Sequence, residues 1–387
     1  MEKKSIVVLG SGLVGGPMAL DLAAEARFAV TVADINKEAL EQLRSRDQRI
    51  ETVVADLADT ARVTELVSGF DLVLSAVPGF MGYATLEAVI EAGRNVVDIA
   101  FFAEDPFALN DKAKQAGVTA VVDCGVAPGL SNLLIGRVAE ELDSLENALI
   151  YVGGLPEVRQ WPYEYKAGFS PIDVIAEYTR PARYVENGQM VTRPALSDPE
   201  LVDFPGIGTL EAFNTDGLRS LAVTIECPEM KEKTLRYPGH IEKMALLRET
   251  GFFSEDEIMV RGAAIRPIDL TAALLFPKWK LEEGEVDITV MRVAVRGRKE
   301  GREVSHTFDL LDRYDPGSGI HSMARTTGYT ATAAVRMLAE GHYTEPGVSP
   351  PELIGRFREP TDFIVRCLAE RGVVCGETVA GGTPILG

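Results

Sequence analysis

Three glycines, Gly10, Gly12 and Gly15, stand in GSGLVG between an apolar run and a helix-like stretch. A strand, a Gly-x-Gly-x-x-Gly turn and a helix form a phosphate cradle. Gly10 permits the tight turn, Gly12 lets a pyrophosphate approach the backbone, and Gly15 lets helix and strand pack closely. The helix start, with Leu13 and Val14 leading into it, offers N–H groups and a positive dipole end to the anion. Asp34 follows Gly15 by 19 residues, at the end of the next apolar run. A carboxylate there accepts bonds from both ribose hydroxyls of a dinucleotide and repels a 2′-phosphate. Ile35 and Asn36 follow, with no Arg to receive a phosphate, so NAD is the expected cofactor. Asp34 could instead cap the helix starting near 36. Asp56 and Leu57 sit where an adenine edge would pass, with an N-cap as the other reading of Asp56. Ala76, Val77 and Pro78 in SAVPG fall where the chain would pass the nicotinamide ribose. Asp98 and Asp123 end two further runs and so point toward the ligand side of a parallel sheet, unless they are caps or ion-pair members.

These residues need a frame, and the first 125 residues supply one. Apolar runs at 5–10, 29–34, 50–56, 70–77, 95–100 and 119–125 alternate with helical stretches at 14–26, 36–47, 60–67, 82–92 and 105–116. The runs are continuous Val/Ile/Leu segments, as in strands covered on both faces. The pattern predicts an α/β fold, a Rossmann-type doubly wound parallel sheet. Past 129–142, a helix, the rhythm becomes mixed, and an α+β domain with a mainly antiparallel sheet is expected. Two alternating runs flank GRKEG, which predicts a hairpin. Helices are expected near 170–178, 239–250 and 267–275, and an Ala-rich helix ends at Gly341. The expected division is a dinucleotide domain over 1–128, an inserted substrate and dimerisation domain over 129–320, and C-terminal helices over 321–387 that return to the first domain.

The chain has 387 residues, 46% hydrophobic and 25% charged, with a net charge of −19. That excess of negative charge argues against nucleic acid and anionic membrane as partners. No apolar run approaches the roughly 20 residues that span a bilayer. The chain enters a strand at once, without a secretory pattern, so a cytoplasmic location is expected. Its four cysteines form no CxxC pair and read as reduced thiols. The four histidines lack metal-ligand spacing, and no metal is expected.

At DCGVAPGLSN (123–132) a resemblance becomes specific. Together with YEYKAGFSP (163–171), FNTDGLRSL (213–221), KTLRYPGHIEKM (233–244), GYTATAAVRMLAEG and GVSPPELIG, this stretch makes the chain resemble the saccharopine dehydrogenase family over nearly its whole length. Within the family it is most similar to members that deaminate L-lysine at its ε-amino group. The resemblance implies a Rossmann domain with an inserted domain, a nicotinamide cofactor, an amino-acid substrate with a reactive carbon–nitrogen bond, and a homodimer or homotetramer. Saccharopine-forming members carry an acid in a GxDPG loop. Here the loop reads GVAPG, and Ala127 replaces the carboxylate.

If lysine is the substrate, hydride leaves its ε-carbon, and the amine, with a pKa of about 10.4, must first lose a proton. Candidates for that transfer are Lys166, Asp98, Asp123, His240 and Tyr165. His240 could equally be a satisfied structural histidine. The substrate's carboxylate needs a cation, for which Arg236 comes first and Arg219 second. Asn214 and Asp216 could meet its α-ammonium, and each of these residues could instead belong to an ion pair of the fold. A saccharopine-type enzyme acting on another amino-acid C–N bond is the nearest alternative. A non-catalytic NAD(H) sensor is the alternative of another class.

Overall fold

A computed structural model describes residues 3–282 and 284–381, and these divide into two compact units, 3–141 with 324–375, and 142–282 and 284–323 with 376–381. The first unit starts as a strict alternation. β1 (Lys4–Leu9), α1 (Gly15–Ala23), β2 (Phe28–Asp34), α2 (Lys37–Arg46), β3 (Glu51–Val54), α3 (Thr60–Val67), β4 (Leu72–Ser75), α4 (Gly79–Glu91), β5 (Asn95–Asp98), α5 (Asn110–Ala116), β6 (Thr119–Val121) and α6 (Leu130–Glu141) follow one another. Ile6, Val7, Val8 and Leu9 are completely buried, as a central strand covered on both faces requires. β3 to β6 are shorter than their apolar runs at 50–56, 70–77, 95–100 and 119–125, because each of these runs continues past its last ladder bond into the ligand-side loop.

The second unit opens with β7 (Ser144–Pro156) and α7 (Pro171–Thr179), followed by β8 (Ala182–Glu186), β9 (Gln189–Arg193), β10 (Glu200–Phe204), β11 (Gly208–Asn214), α8 (Leu221–Thr224), β12 (Met230–Arg236) and α9 (His240–Thr250). A hairpin of β13 (Ile258–Val260) and β14 (Ala263–Ile265) leads into α10 (Pro267–Trp279), then β15 (Asp287–Lys299) and β16 (Arg302–Arg313). The last two form the expected hairpin, in continuous register from Ile288–Arg313 to Lys299–Arg302. Pro171 and Pro267 each occupy a first helical turn, where a missing N–H costs nothing.

The chain then supplies α11 (Ser322–Glu340), β17 (Gly347–Val348), α12 (Pro351–Gly355), α13 (Arg358–Glu370) and β18 (Cys375–Gly381). Among the described residues, the first unit holds a seven-stranded sheet in the order β17-β6-β5-β4-β1-β2-β3, with every pair parallel. The second holds a nine-stranded mixed sheet along β10-β11-β12-β7-β15-β16-β18, with β8 and β9 branching from β12. Within it β7 and β12 run parallel, whereas β7 and β15, β15 and β16, β10 and β11, β11 and β12, β12 and β8, and β8 and β9 run antiparallel. β17 extends the first sheet beside β6, and α12 packs on α6, where Gly136 and Gly355 permit close approach: a Cβ on Gly136 would stand 2.2 Å from the Glu352 carbonyl. Neither β17 nor β18 follows from periodicity, since two residues carry no pattern and β18 is mostly exposed. None of the described helices is long and apolar enough to cross a membrane.

Candidate active site: a dinucleotide turn and a buried polar core

Gly10 has φ +103°, and a Cβ on it would lie 2.8 Å from the Ala76 carbonyl oxygen. A Cβ on Gly15 would lie 2.2 Å from the Gly10 carbonyl oxygen. Both glycines are therefore required by the protein itself. Gly12 differs, because no protein atom lies within 4 Å of its Cβ position. The open side of that residue is the space a pyrophosphate needs, and Val14, at the cap of α1, makes no side-chain hydrogen bond that would compete for the first N–H groups. The turn thus fits a dinucleotide.

Asp34 closes this turn from the next strand. Its Oδ2 accepts from the Ser11 N–H at 2.6 Å and the Ser11 hydroxyl at 2.8 Å, and its Oδ1 accepts from the Asn36 N–H at 2.8 Å. Asn36, not Asp34, caps α2 through the Ala39 N–H. Likewise Asp59, not Asp56, caps α3, while Asp56 turns back onto the Ala58 N–H. Leu13 and Ile35 are exposed, whereas Val14, Leu57 and Val77 are buried. Pro78 sits at the cap of α4. Ser11 was not singled out by spacing, although a hydroxyl between two motif glycines is the signal that would have found it. Phe80, the second residue of α4, is 79% exposed and is another large side chain at this strand-end face.

Asp98 and Asp123 end β5 and the run after β6, and both are buried. The Asp98 carbonyl accepts from the Cys124 N–H at 3.0 Å, and its carboxylate accepts from the Ala100 N–H at 3.0 Å. Burial, then the charges of Asp98 and Asp123, push the Cys124 thiol far up, which removes it as a nucleophile. The loop 125–132 folds tightly on itself: the Gly125 N–H reaches the Pro128 carbonyl at 3.0 Å, and the Leu130 N–H reaches Gly125 at 2.9 Å. Asn132 in turn donates to Glu352 at 3.3 Å.

In the second unit, Tyr165, Arg236 and His240 come together. The Arg236 guanidinium stacks 4.5 Å from the Tyr165 ring and donates to Glu177 at 2.6 Å, to Tyr178 at 3.1 Å and to the Leu235 carbonyl at 3.0 Å. Each of its nitrogens therefore already has a protein partner, and the residue is 2% exposed. His240 lies between the Tyr163 carbonyl at 2.8 Å and the Tyr178 hydroxyl at 2.9 Å. A carbonyl only accepts, so Nδ1 carries the proton and Nε2 accepts from Tyr178. Burial, then the Arg236 charge, lowers the His240 pKa to about 3. The structural reading of His240 is the one its partners favour. Burial raises the Tyr178 hydroxyl to about 12.

The remaining sequence candidates are dispersed. Lys166 is held away from this cluster by Glu285 at 2.9 Å and the Lys280 carbonyl at 2.9 Å. Asp216 accepts both arms of Arg183, at 2.8 and 2.9 Å. Asn214 donates to Ser197 and Asp198. Arg219 is buried at φ +53°. Glu232 was missed. Burial raises its carboxyl to about 8, against the opposing bond from the Thr215 hydroxyl. Between Lys231 and Lys233 it reads as an ordinary surface charge, which hides it. Among the described residues, no group of three or more His, Cys, Asp or Glu could hold a metal.

With this geometry in hand, residues 6–121 match the saccharopine dehydrogenase NADP binding domain and residues 125–373 the saccharopine dehydrogenase C-terminal domain. The first unit therefore carries a dinucleotide-binding domain of the NAD(P) type. The saccharopine dehydrogenase [NADP(+), L-glutamate-forming] of Pyricularia oryzae is 24% identical, over 98% of this chain and 100% of that one. The mitochondrial alpha-aminoadipic semialdehyde synthase of Mus musculus is 30% identical over 90% of this chain, which spans 45% of its length. The apo saccharopine dehydrogenase (L-Glu forming) of Saccharomyces cerevisiae has the same fold, with a TM-score of 0.79 at 21% identity over 97% of this chain and 100% of that one. A glycine turn locked to Asp34, a tightly folded GVAPG loop and two matched domains together place the chain in the saccharopine dehydrogenase family of oxidoreductases.

Proposed function

We propose that this oxidoreductase of amino-acid C–N bonds catalyses the NAD-dependent oxidative deamination of L-lysine at its ε-amino group. Hydride leaves the ε-carbon for the nicotinamide, water adds to the resulting imine and ammonia leaves, giving 2-aminoadipate 6-semialdehyde, which cyclises to piperideine-6-carboxylate with loss of water. The observation that carries the cofactor half is the Asp34 carboxylate, fixed by three hydrogen bonds where a 2′-phosphate would have to sit. This favours NAD, although the fungal relative is named for NADP. Ala127 carries the substrate half, since the loop it occupies lacks the acid of saccharopine-forming members.

The nicotinamide, when bound, supplies a hydride acceptor. Gly12 and the start of α1 hold the pyrophosphate, Asp34 the ribose, and Leu13 and Ile35 offer apolar surface to the adenine side. Asp98 and Asp123 are assigned the ammonium of the substrate: they bind it as a cation and take its proton, since only the neutral amine has the lone pair that supports loss of hydride. Arg236, whose nitrogens are engaged by Glu177, Tyr178 and the Leu235 carbonyl, serves the fold of the second unit. The specific test mixes the protein with NAD or NADP at alkaline pH and either L-lysine, L-ornithine or saccharopine, following NAD(P)H absorbance and ammonia. NADH and ammonia from lysine are the expected result. Turnover of saccharopine with NADP, and none of lysine, would replace this reading with the glutamate-forming activity named for the relatives.

A further inference from the structure

α11 is buried along most of its length, and one residue breaks the pattern. From 324 to 338 every residue is buried except Thr327, which is partly exposed. A helix covered all round belongs to a core, so an opening at a single side chain asks what meets that side chain. Contacts within the first unit locate the opening. One residue on, Gly328 lies against the start of α1: a Cβ on it would stand 2.9 Å from Met18 Cγ and 3.5 Å from Val14 Cγ1. On the other side, a Cβ on Gly125 would stand 3.3 Å from Thr327 Cγ2 and 3.9 Å from Thr327 Oγ1. The Cys124 thiol reaches the Thr330 carbonyl at 4.0 Å. Thr327 is therefore held between the dinucleotide turn and the loop after β6, at the C-terminal ends of the strands, where a parallel sheet binds its ligands.

The sheet order says which half of a dinucleotide passes there. β1 has β2 on one side and β4, β5 and β6 on the other. With a ribose at Asp34, which ends β2, the adenosine half lies on the β2 side. A pyrophosphate at Gly12 then sends the nicotinamide half across β4 toward β6. Ala76, just after β4, lines that path, since a Cβ on Gly10 would stand 2.8 Å from its carbonyl oxygen. Thr327 stands on the same side of the turn, next to Gly125. We propose that Thr327 is a cofactor-binding residue: its Oγ1 accepts a hydrogen bond from the carboxamide NH2 of the nicotinamide and so fixes how the ring lies. The carboxamide gives up water as the ring enters, and its N–H groups then need an acceptor. A hydroxyl carries one donor and two acceptor lone pairs, so Thr327 can donate within the protein and still accept from the amide. The inference rests on the dinucleotide reading of the first unit. It holds for NAD and for NADP, and for whichever amino acid is oxidised.

Titration calorimetry on the full chain tests it with three probes. These are NADH, ADP-ribose, which lacks the nicotinamide ring, and reduced acetylpyridine adenine dinucleotide, whose acetyl group has no N–H. If NADPH binds more tightly than NADH, the 2′-phosphorylated forms take the place of all three. Thr327→Val keeps the methyl that faces Gly125 and replaces the hydroxyl by a second methyl. It is expected to raise the Kd for NADH about 2- to 12-fold, the worth of one neutral hydrogen bond, and to leave the Kd for the other two probes unchanged. That coupling between side chain and probe isolates the bond from any effect on the helix itself. Thr327→Ser, which keeps the hydroxyl, should bind NADH as wild type does. Wild type alone should bind the acetylpyridine analogue more weakly than NADH by a similar factor, a reading that needs no variant. An unchanged Kd for NADH in Thr327→Val, or an equal loss with ADP-ribose or with the acetylpyridine analogue, would overturn the contact. A wild-type protein that bound none of the probes would remove the dinucleotide reading itself, and the contact with it.

Discussion

Two glycines three residues apart should fail in opposite ways. Gly12→Ala adds a methyl into open space, with no protein atom within 4 Å, at a backbone angle outside the left-handed region. The fold should tolerate it, and loss of unfolded-state freedom should even stabilise the protein by about 0.4–1 kcal/mol. The methyl occupies the approach of a pyrophosphate, however. Forfeiting even one charged hydrogen bond from the turn costs about 1.5–3 kcal/mol. That is roughly a 10- to 150-fold rise in the Kd for dinucleotide. Gly15→Ala puts its methyl 2.2 Å from the Gly10 carbonyl oxygen and 3.0 Å from its carbon, so α1 must move off the turn. Overpacking of that kind costs about 1–3 kcal/mol or more in stability. The assay is thermal unfolding without ligand, set beside titration calorimetry with NAD and with NADH. A Gly12→Ala protein that unfolds normally but binds weakly, and a Gly15→Ala protein that melts early, are expected. Wild-type affinity in Gly12→Ala would refute the assignment of this turn to a pyrophosphate. An early melt of Gly12→Ala would show that the open space is not open.

Other consequences follow from the same contacts. Ser11→Ala removes the 2.8 Å hydroxyl bond to Asp34 and should narrow the ratio of NADP to NAD affinity several-fold, read from KM for each cofactor. Asp123→Asn should abolish most turnover while calorimetry still shows dinucleotide binding; unchanged kcat would acquit this carboxylate. Arg236→Met strands the Glu177 carboxylate beside Tyr178 and should cost about 3–5 kcal/mol in denaturant unfolding. The Glu232 carboxyl titrates near 8 when folded and near 4.5 when unfolded, so its contribution is complete below about 4.5 and is lost as pH rises through 8. Glu232→Gln should therefore stabilise the protein by a few kcal/mol at pH 9 and hardly at pH 4, as melting curves at the two values would show. His240 has the opposite sign: with a folded pKa of about 3, its contribution is complete above about 6.5 and is lost as pH falls toward 3. His240→Gln should flatten that acid limb.

What could be read ahead of the structure depended on whether a residue's partner was local. The first sheet was legible because each strand and helix announces itself by period and by what ends it. Asp34 was legible because its distance from Gly15 is set by one helix and one strand. The interior of the second unit was not. Arg236 and Glu177 are 59 residues apart in sequence yet 2.6 Å apart in space, and nothing at either position marks the other. In TLRYPGH, Arg236 looked like a fork waiting for a carboxylate, and the protein had already supplied one. Lys166, next in sequence to Tyr165, points to Glu285 while Tyr165 faces Arg236, because adjacent residues leave an extended segment on opposite sides. The same blindness explains Glu232, whose lysine neighbours suggested solvent, although Lys233 is itself buried against the Asp198 carbonyl and Glu200. Spacing finds groups that act through the backbone that follows them. Groups that act through a partner across a sheet become visible only when the sheet closes. Arg236 is such a group: its nitrogens are spent on Glu177, Tyr178 and the Leu235 carbonyl, partners that only the folded second unit brings to it.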